Sequence, residues 1–366
     1  MPLIPLQAVL PEDLARALHV ELTDARRLVS LAHRSAPGTS LPDRAPATLR
    51  RRALDAARLE TSLPELTLIE RRASAEDPFV KYAFGLEGGA VVETVRIPLE
   101  RAMRFSVCVS SQVGCALACA FCATGRMGLR RNLEAWEIVE QVRVVGAELR
   151  ASGLGRVHGV LFQGMGEPLA NLDRVIQAIR VLSEPSAQAI DMRNITVCTA
   201  GLPSGIRRLY REIPAARLGV SLGSAVPGKR RSLMPIDGAH PLEEVLEAAG
   251  EHARTTGRSP MFAFTLLEDQ NDSDEDAEAL ASLARGFTDR WGVSPRLSLI
   301  PYNAIASVAS AEDPFTRSPR LEAFRAVLRA RGVGTIVRYS GGGDIGAACG
   351  QLSRARGHLA EGAPKG

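Results

Sequence analysis

The sequence of 366 residues lacks any apolar run close to the roughly 20 residues that a membrane-spanning helix needs. Its N-terminus, MPLIPLQAVLPEDLARAL, has no basic segment before the apolar residues and reaches acidic residues early, unlike a secretory signal. It shows no internal repeat and no long low-complexity tract. We therefore expect a cytoplasmic protein with no membrane partner.

An excess of charge of one sign is also missing. The chain has 45 Lys and Arg against 41 Asp and Glu, a formal net charge of +4. A dedicated nucleic-acid module is usually more basic, so this balance permits a polyanionic partner without demanding one. The short basic groups that could contact phosphates are Arg50–Arg52, Arg126 with Arg130 and Arg131, and Lys229–Arg231. The arginines near residue 128 are the strongest candidates, and we expect the others on the solvated surface.

Cysteine is sparse, yet four of the six cysteines fall between Cys108 and Cys122. A reducing compartment disfavours a disulfide framework, so metal-binding or catalytic cysteines are expected. The last three follow a C-x3-C-x2-C pattern, which could hold three irons of a cubane and leave the fourth open. A zinc site would need a fourth ligand from elsewhere, and no histidine lies nearby. The pattern favours an iron–sulfur cluster over zinc, with ordinary buried cysteines as a third alternative.

Strand and helix patterns divide the chain into regions. Residues 1–60 predict short amphipathic helices, and residues 61–105 predict β-strands. In residues 106–355, six apolar runs alternate with helical patterns, which is typical of a parallel sheet covered by helices. No glycine-rich dinucleotide fingerprint follows the first run, so a barrel with its chemistry at the carboxyl ends of the strands is favoured over an open sheet. Residues 356–366 predict a flexible tail.

The run CVSSQVGCALACAFCATG resembles the signature loop of radical S-adenosylmethionine (SAM) enzymes. With VVETVRIP, GMGEPLANLD, SLMPI, LIPYN and GDIGAACGQL, the chain is similar to the RlmN/Cfr adenine-methylating RNA methyltransferases over about residues 75–355. The resemblance implies an α/β fold, a partial (β/α)6 TIM-like radical SAM barrel with a small N-terminal helical accessory domain and a β extension. It also implies one 4Fe–4S cluster, SAM, rRNA or tRNA as substrate, and an electron donor such as a flavodoxin-type reductant.

In that family, one SAM methylates a cysteine, and a second is cleaved at the cluster to give a radical that takes hydrogen from the S-methyl group. The resulting carbon adds to C2 or C8 of an adenine. A base then removes the ring proton, and a second cysteine releases the product by forming a disulfide. By position, the resemblance implies Cys349 as the methylated cysteine, Cys108 as the resolving cysteine and Glu93 as the proton acceptor, with a cysteine as the alternative base. The implied cluster ligands are Cys115, Cys119 and Cys122, and the implied SAM-binding residues are Gly166, Glu167, Cys198, Ser221, Leu222, Gly223 and Asn303.

The chain departs from the family pattern at three places. The family has serine at the position of Cys198, histidine at that of Gly223, and a more basic, less glycine-rich run in place of YSGGGDI. These departures leave open which RNA is modified and which adenine carbon is methylated. The leading alternative is a radical SAM enzyme of the same fold acting on a small molecule or peptide, which would not need both Cys108 and Cys349. A non-enzymatic zinc-binding RNA module is a more distant alternative.

Overall fold

A computed structural model describes residues 3–305 and 313–352. The strands are β1 (Ile4–Pro5), β2 (Thr61–Ser62), β3 (Thr67–Ala73), β4 (Val80–Gly85), β5 (Val91–Pro98), β6 (Arg104–Val109), β7 (Gln112–Val113), β8 (Arg131–Asn132), β9 (Arg156–Phe162), β10 (Ile195–Thr199), β11 (Arg217–Ser221), β12 (Met261–Leu266), β13 (Arg296–Pro301) and β14 (Thr335–Val337). The helices are α1 (Pro11–Ala17), α2 (Leu22–Arg34), α3 (Arg51–Glu60), α4 (Ala123–Arg126), α5 (Ala135–Ala151), α6 (Leu172–Ser183), α7 (Pro203–Glu212), α8 (Lys229–Leu233), α9 (Leu242–Thr256), α10 (Asp274–Trp291) and α11 (Leu321–Ala330).

The apolar runs of the sequence form a parallel sheet. Strands β6, β9, β10, β11, β12, β13 and β14 pair in that order, each parallel to its neighbours. The first six of these strands are the six predicted ones, and β14 adds a short strand that the sequence patterns did not indicate. The carboxyl ends of parallel strands share one edge of the sheet, so the loops that follow β6, β9, β10, β11 and β13 lie together. The predicted α/β barrel fold is confirmed.

Three antiparallel strands extend the same sheet rather than forming a separate layer. Strand β5 pairs antiparallel with β6, and β4 and β3 continue beyond it, so that ten strands of the described residues make one sheet. The register sets Val95 of β5 opposite Cys108 of β6. The β extension therefore forms one wall beside the first barrel strand. The predicted boundary near residue 105 stays a prediction.

The N-terminal helices bury an apolar cluster of their own. Helices α1, α2 and α3 pack through Leu14, Leu28 and Leu54, all fully buried. Polar contacts join them to the barrel, where Arg143 of α5 donates to the carbonyl of Ser35 at 3.0 Å. That residues 1–60 form a separate accessory domain stays a prediction.

The predicted tail, residues 356–366, lies outside the described residues. Across the described ranges, no helix has the length and apolarity needed to span a bilayer.

Candidate active site

The loop that carries the C-x3-C-x2-C pattern is closed at its base by a small β pair. Strand β7 pairs antiparallel with β8, and the amide of Cys115 donates to the carbonyl of Gly128 at 3.2 Å. Gly114 has φ +76°, and a Cβ on it would lie 1.8 Å from the Gly128 oxygen. Only glycine fits there. The sequence between Gly114 and Gly128 is thus held as a closed loop at the carboxyl end of β6.

Cys115, Cys119 and Cys122 are partly exposed free thiols on this loop. Burial raises the pKa of Cys115 to about 12 and raises those of Cys119 and Cys122, and the nearby sulfurs raise them further. Among the described residues, no three His, Cys, Asp or Glu side chains converge closely enough to hold a single metal ion. Each thiolate on a cubane binds a different iron, so the ligands of a cluster need not converge as the four ligands of a zinc ion do. Three neighbouring thiols on one closed loop therefore fit an iron–sulfur cluster.

The segment containing Cys349 is seated directly on this loop. The amide of Ala123 donates to the Gly350 carbonyl at 2.8 Å, and the hydroxyl of Thr124 donates to the Leu352 carbonyl at 2.5 Å. Asn303 donates its amide to the Cys349 carbonyl at 3.3 Å, and the Cys349 amide donates to the Ser340 hydroxyl at 3.3 Å. The structure thus places Cys349 and the predicted residue Asn303 side by side, next to the cysteine loop.

Contacts from the β3–β4 turn hold the other side of the segment. The carboxylate of Asp77 accepts from the Tyr339 hydroxyl at 3.0 Å and from the Gly342 amide at 2.8 Å. A Cβ on Gly341 would lie 2.5 Å from that carboxylate, so the glycine run lets the backbone pass close to Asp77. The segment therefore bridges from the end of β14 to the antiparallel strands.

One cavity brings the predicted catalytic cysteines together. It has a volume of 240 Å³, and Cys108, Cys122 and Cys349 all line it, as do Gln163 and Arg338. Cys108 is buried in β6, and burial raises its pKa to about 12. All six cysteines of the chain lie in the described residues, and all are free thiols, so the predicted Cys108–Cys349 disulfide is not formed here.

Arg338 and Gln163 form a polar centre that the sequence reading missed. Arg338 donates to the Gln163 side-chain oxygen at 2.7 Å, and the Cys198 thiol donates to the same oxygen at 3.6 Å. Burial lowers the pKa of Arg338, but the charges of Cys349, Cys198 and Cys108 outweigh this and raise it overall. The Arg338 charge acts against the burial that raises the pKa of Cys108 and of Cys198. The sequence patterns did not indicate β14, which ends just before Arg338, so they gave no signal for this residue.

Glu167 is buried at the carboxyl end of β9. Its carboxylate accepts from the Leu169 amide at 3.0 Å and from the Ala200 amide at 2.9 Å. Burial raises its pKa to about 7, although these donors act in the opposite direction. The neighbouring Gly166 has φ +101°, and a Cβ there would lie 2.5 Å from Gln112. The GMGEPL turn thus points a fixed carboxylate towards the cysteine loop, where Glu167 also interacts with Cys115.

Arg230 corrects an expectation, because we expected the Lys229–Arg231 group on the solvated surface. Its side chain is 2% exposed and donates to the carbonyls of Leu222 and Ala200 at 2.9 and 2.6 Å. It also pairs with Asp237 at 2.6 Å. The guanidinium therefore ties the loop after β10 to the loop after β11. A basic triplet in the sequence gave no signal that its middle member is buried.

Glu93 is also buried, at 3% side-chain exposure, with its carboxylate 3.2 Å from the Lys81 ammonium group. Lys81 donates in turn to the Gly346 carbonyl, at 3.2 Å, on the segment that carries Cys349. Glu93 does not line the 240 Å³ cavity, whereas Val95, two residues along the same strand, does. Side chains two apart point to the same face of a strand, so Glu93 faces the same side as the cavity.

Comparison with known proteins identifies the family. The Radical SAM superfamily profile matches residues 109–282. A protein named "Probable RNA methyltransferase" from Sorangium cellulosum is 72% identical over 361 residues, covering 94% of this chain and 91% of that protein. A "Dual-specificity RNA methyltransferase RlmN" from Syntrophobacter fumaroxidans is 42% identical, covering 77% of this chain and 78% of that protein. The crystal structure of a radical SAM methyltransferase from Sphaerobacter thermophilus matches with a TM-score of 0.82 at 36% identity, covering 96% of this chain and 99% of that one.

The chain belongs to the RlmN-type RNA methyltransferase family of the radical SAM superfamily. The family assignment made from the cysteine loop and the accompanying motifs is confirmed. Membership of this family implies that the protein uses a 4Fe–4S cluster and SAM. The cysteine loop described above fits such a cluster.

The structure gives a reason for one departure from the family pattern. Gly223, where the RlmN-type family has histidine, has φ +71°, and a Cβ there would lie 2.6 Å from the Met234 sulfur. Met234 therefore occupies the space that a side chain at this position would enter. Asn271 fixes the loop by donating to the Gly223 carbonyl at 2.7 Å. Ser221 ends β11 and Leu222 is buried behind it, so all three lie at the edge of the sheet that carries the cysteine loop.

The second departure, Cys198, is accommodated by a glycine on the next strand. A Cβ on Gly219 would lie 2.8 Å from the Cys198 sulfur. Burial raises the pKa of Cys198 to about 11. In this RlmN-type protein the thiol therefore fills the place of the family's serine as a buried, neutral group.

The basic residues beside the cysteine loop are mostly engaged within the protein. Arg126 pairs with Asp313 at 3.2 Å, and Arg131 pairs with Glu137 at 2.7 Å. Arg130 is exposed and forms no salt bridge with a described residue. Among the three, Arg130 is the arginine that remains available for a phosphate.

Proposed function

We propose that this protein methylates C2 or C8 of an adenine in rRNA or tRNA, with S-methylated Cys349 as the intermediate carrier. The observation that carries the proposal is the shared 240 Å³ cavity, which Cys349, Cys108 and the loop residue Cys122 all line. A radical SAM enzyme acting on a small molecule or peptide would need the loop cysteines but not this pair. The RNA methyltransferase names of the relatives support an RNA substrate.

The cysteine loop would hold the cluster through Cys115, Cys119 and Cys122. When bound, a 4Fe–4S cluster supplies the electron that cleaves SAM reductively. The carboxylate of Glu167, buried beside Cys115, would accept a hydrogen bond from the ammonium group of SAM. A flavodoxin-type protein would deliver this electron to the cluster. The expected cytoplasmic location of the protein stays a prediction.

The remaining predicted cosubstrate residues surround the same edge of the sheet. Gly166 would allow the backbone to approach SAM closely, and Ser221 and Asn303 would hydrogen-bond its ribose, adenine or carboxylate. Leu222, Gly223 and Cys198 would shape the surface beneath it, with Gly223 contributing backbone only.

Cys349 would act first as a nucleophile and accept the methyl group on its sulfur. Thiolates are the reactive form of cysteine, and the Arg338 guanidinium lines the same cavity as Cys349. Ser340 and Asn303 hold the Cys349 backbone, which fixes the sulfur over the cavity.

Glu93 would remove the adenine ring proton. Lys81 holds this carboxylate 3.2 Å from its ammonium group while it bonds the Cys349 segment through the Gly346 carbonyl. The same lysine thus links the proposed base to the segment that carries the methyl group. The Cys108 sulfur would then attack the Cys349 sulfur: the disulfide forms as the bond from Cys349 to the adenine-bound carbon breaks, and that carbon takes up a proton to become the methyl group.

The first experiment replaces Cys108 with alanine and looks for RNA covalently attached to the protein. Without the resolving thiol, RNA should remain linked to the peptide that contains Cys349, seen on a denaturing gel and by mass spectrometry. The matched control is the Cys108→Ala, Cys349→Ala double variant, which also lacks the proposed carrier sulfur and should trap no RNA. If Cys108→Ala forms no adduct while SAM is still cleaved, the RNA proposal is wrong.

Two further measurements test the cofactor and the product. Anaerobically purified protein should be brown and hold about four irons per chain, and Cys119→Ala should lose that iron. A colourless protein containing zinc would contradict the proposal. Nucleoside mass spectrometry of RNA from cells with and without the gene should show one methyladenosine that depends on the gene, and its comparison with standards separates C2 from C8.

A further inference from the structure

Arginines surround the end of the barrel opposite the cysteine loop. Each of the six predicted parallel strands begins with an arginine or has one a few residues before it: Arg104 for β6, Arg156 for β9, Arg193 for β10, Arg217 for β11, Arg258 for β12 and Arg296 for β13. The amino ends of parallel strands share one edge of the sheet. The six side chains therefore belong to one mouth of the barrel, which we call the arginine mouth.

A cavity of 460 Å³ opens at this mouth. Arg217, Arg296 and His158 line it, together with small polar residues that include Thr196 and Ser298. In a closed barrel, larger side chains fill this space. Here the space stays open, and its walls combine apolar side chains such as Leu161 and Met261 with hydrogen-bonding groups.

The positive charge at the arginine mouth is poorly compensated within the protein. Arg104, Arg156, Arg217, Arg258 and Arg296 form no salt bridge with any acidic side chain in the part of the chain that the structure describes. The register sets Arg104 directly opposite Arg156, where like charges repel.

The pKa values of ionisable groups near the arginine mouth are shifted by the same positive charge. Asp191 is the acidic residue whose charge reaches Arg217 and His158, and it is already bonded to Arg193 at 2.5 Å. Burial lowers the pKa of Arg217, and the charges of Arg296 and Arg258 lower it further. An anion at this mouth would relieve a repulsion that the protein itself leaves in place.

We propose that the arginine mouth is a binding site for a phosphorylated small molecule of nucleotide size. The cavity volume lies within the range of small-molecule sites, which is about 300–1,000 Å³. Several guanidinium groups around one opening match a chain of phosphates, because each can bind phosphate oxygens in a bidentate manner. The polar residues deeper in the cavity would contact the rest of the ligand. An RNA backbone would use the rim arginines and leave the cavity empty.

This site is independent of the proposed RNA chemistry. It opens at the opposite edge of the sheet from the cysteine loop, although Leu99, Ser106, Leu161 and Arg338 line both cavities. Failure of the RNA proposal would not affect it, because its test measures binding alone.

The test uses inorganic tripolyphosphate and GTP as probes, titrated into the full-length protein by calorimetry at low ionic strength. Arg217→Gln combined with Arg296→Gln should weaken the binding of both probes by at least about tenfold, since two charge-assisted contacts are lost. The matched control combines Arg285→Gln with Arg329→Gln, two exposed arginines on α10 and α11 that form no salt bridge with a described residue. It removes the same charge and should leave binding unchanged.

A second measurement separates binding at the mouth from unspecific charge effects. Arg104→Gln removes one of two opposed cations, so it should raise the melting temperature without anion and reduce the rise that tripolyphosphate causes. The proposal is overturned if the Arg217 and Arg296 variant binds both probes as the wild type does. It is also overturned if that variant loses affinity for a short single-stranded RNA but keeps its affinity for tripolyphosphate and GTP.

Discussion

Replacing Arg230 with methionine tests whether one buried cation joins the two loops that would hold SAM. The guanidinium donates to the carbonyls of Leu222 and Ala200 and pairs with Asp237, and its side chain is 2% exposed. The amide of Ala200 in turn donates to the Glu167 carboxylate. Methionine fills a similar volume but can make none of these bonds, so two carbonyls and a largely buried carboxylate would lose their partner.

The loss of stability in Arg230→Met depends on the buried polar groups that lose their partner. Breaking a buried ion pair by removing one partner costs about 3–5 kcal/mol. This is a large fraction of the roughly 5–15 kcal/mol that stabilises a whole protein. Arg230→Lys keeps the charge but cannot make all three bonds, so we expect an intermediate loss of about 1–3 kcal/mol.

The assay is urea unfolding followed by circular dichroism, at one pH and salt concentration. The matched control is Arg231→Met, because Arg231 is the next residue, is exposed and forms no salt bridge with a described residue. It should change the free energy of unfolding by no more than about 0.5 kcal/mol. Equal losses in the Arg230 and Arg231 variants would show that the buried contacts do not stabilise the site as argued.

Two further predictions concern a glycine of the site and a buried histidine. Gly223→Ala should cost about 1–3 kcal/mol more than Gly292→Ala, because both have φ near +70° but only Gly223 faces an atom, the Met234 sulfur, at 2.6 Å; equal losses in urea unfolding would refute the clash. Burial, and then the charge of Arg143, lowers the pKa of His33 to about 3, so His33 stays neutral in the folded state while it is protonated in the unfolded state below about pH 6.5. Stability contributed by neutral His33 is therefore present above pH 6.5 and falls as the pH drops, by about 2 kcal/mol between pH 6.5 and 5. His33→Gln should flatten this slope in unfolding curves, and a slope that the variant leaves unchanged would contradict the assignment.

The sequence predicts local features of this protein well and long-range ones poorly. Six apolar runs separated by helical periodicity place six parallel strands, because each signal lies within one element. The loop of three cysteines is also local. The proximity of Cys349 to that loop followed only from the family resemblance, because no pattern near residue 349 specifies what it packs against.

The missed residues share a physical cause. Arg230, Gln163 and Lys81 each act through a contact between distant parts of the chain, and the residues next to them in sequence do not indicate that contact. Their burial depends on which carbonyls and carboxylates the fold brings to them. The arginine mouth is different, since an arginine at or near the start of each strand is visible in the sequence. This pattern indicates a cluster of arginines only when the strands are known to be parallel. Antiparallel strands would place the arginines at both edges of the sheet.

Because the barrel contains open cavities, the free energy of unfolding should depend on whether ligands occupy them. Gly159, Thr196 and Ser298 line the 460 Å³ cavity beside Leu161 and Met261, and together they leave open a space that side chains fill in a packed barrel. The bulky apolar residues Phe262, Phe264 and Phe324 belong instead to the main core cluster of the sheet and its covering helices. The interior therefore forgoes packing energy at the positions where ligands would enter. A ligand that binds only the folded state stabilises it by mass action, so occupancy of either cavity should raise the free energy of unfolding of the whole chain.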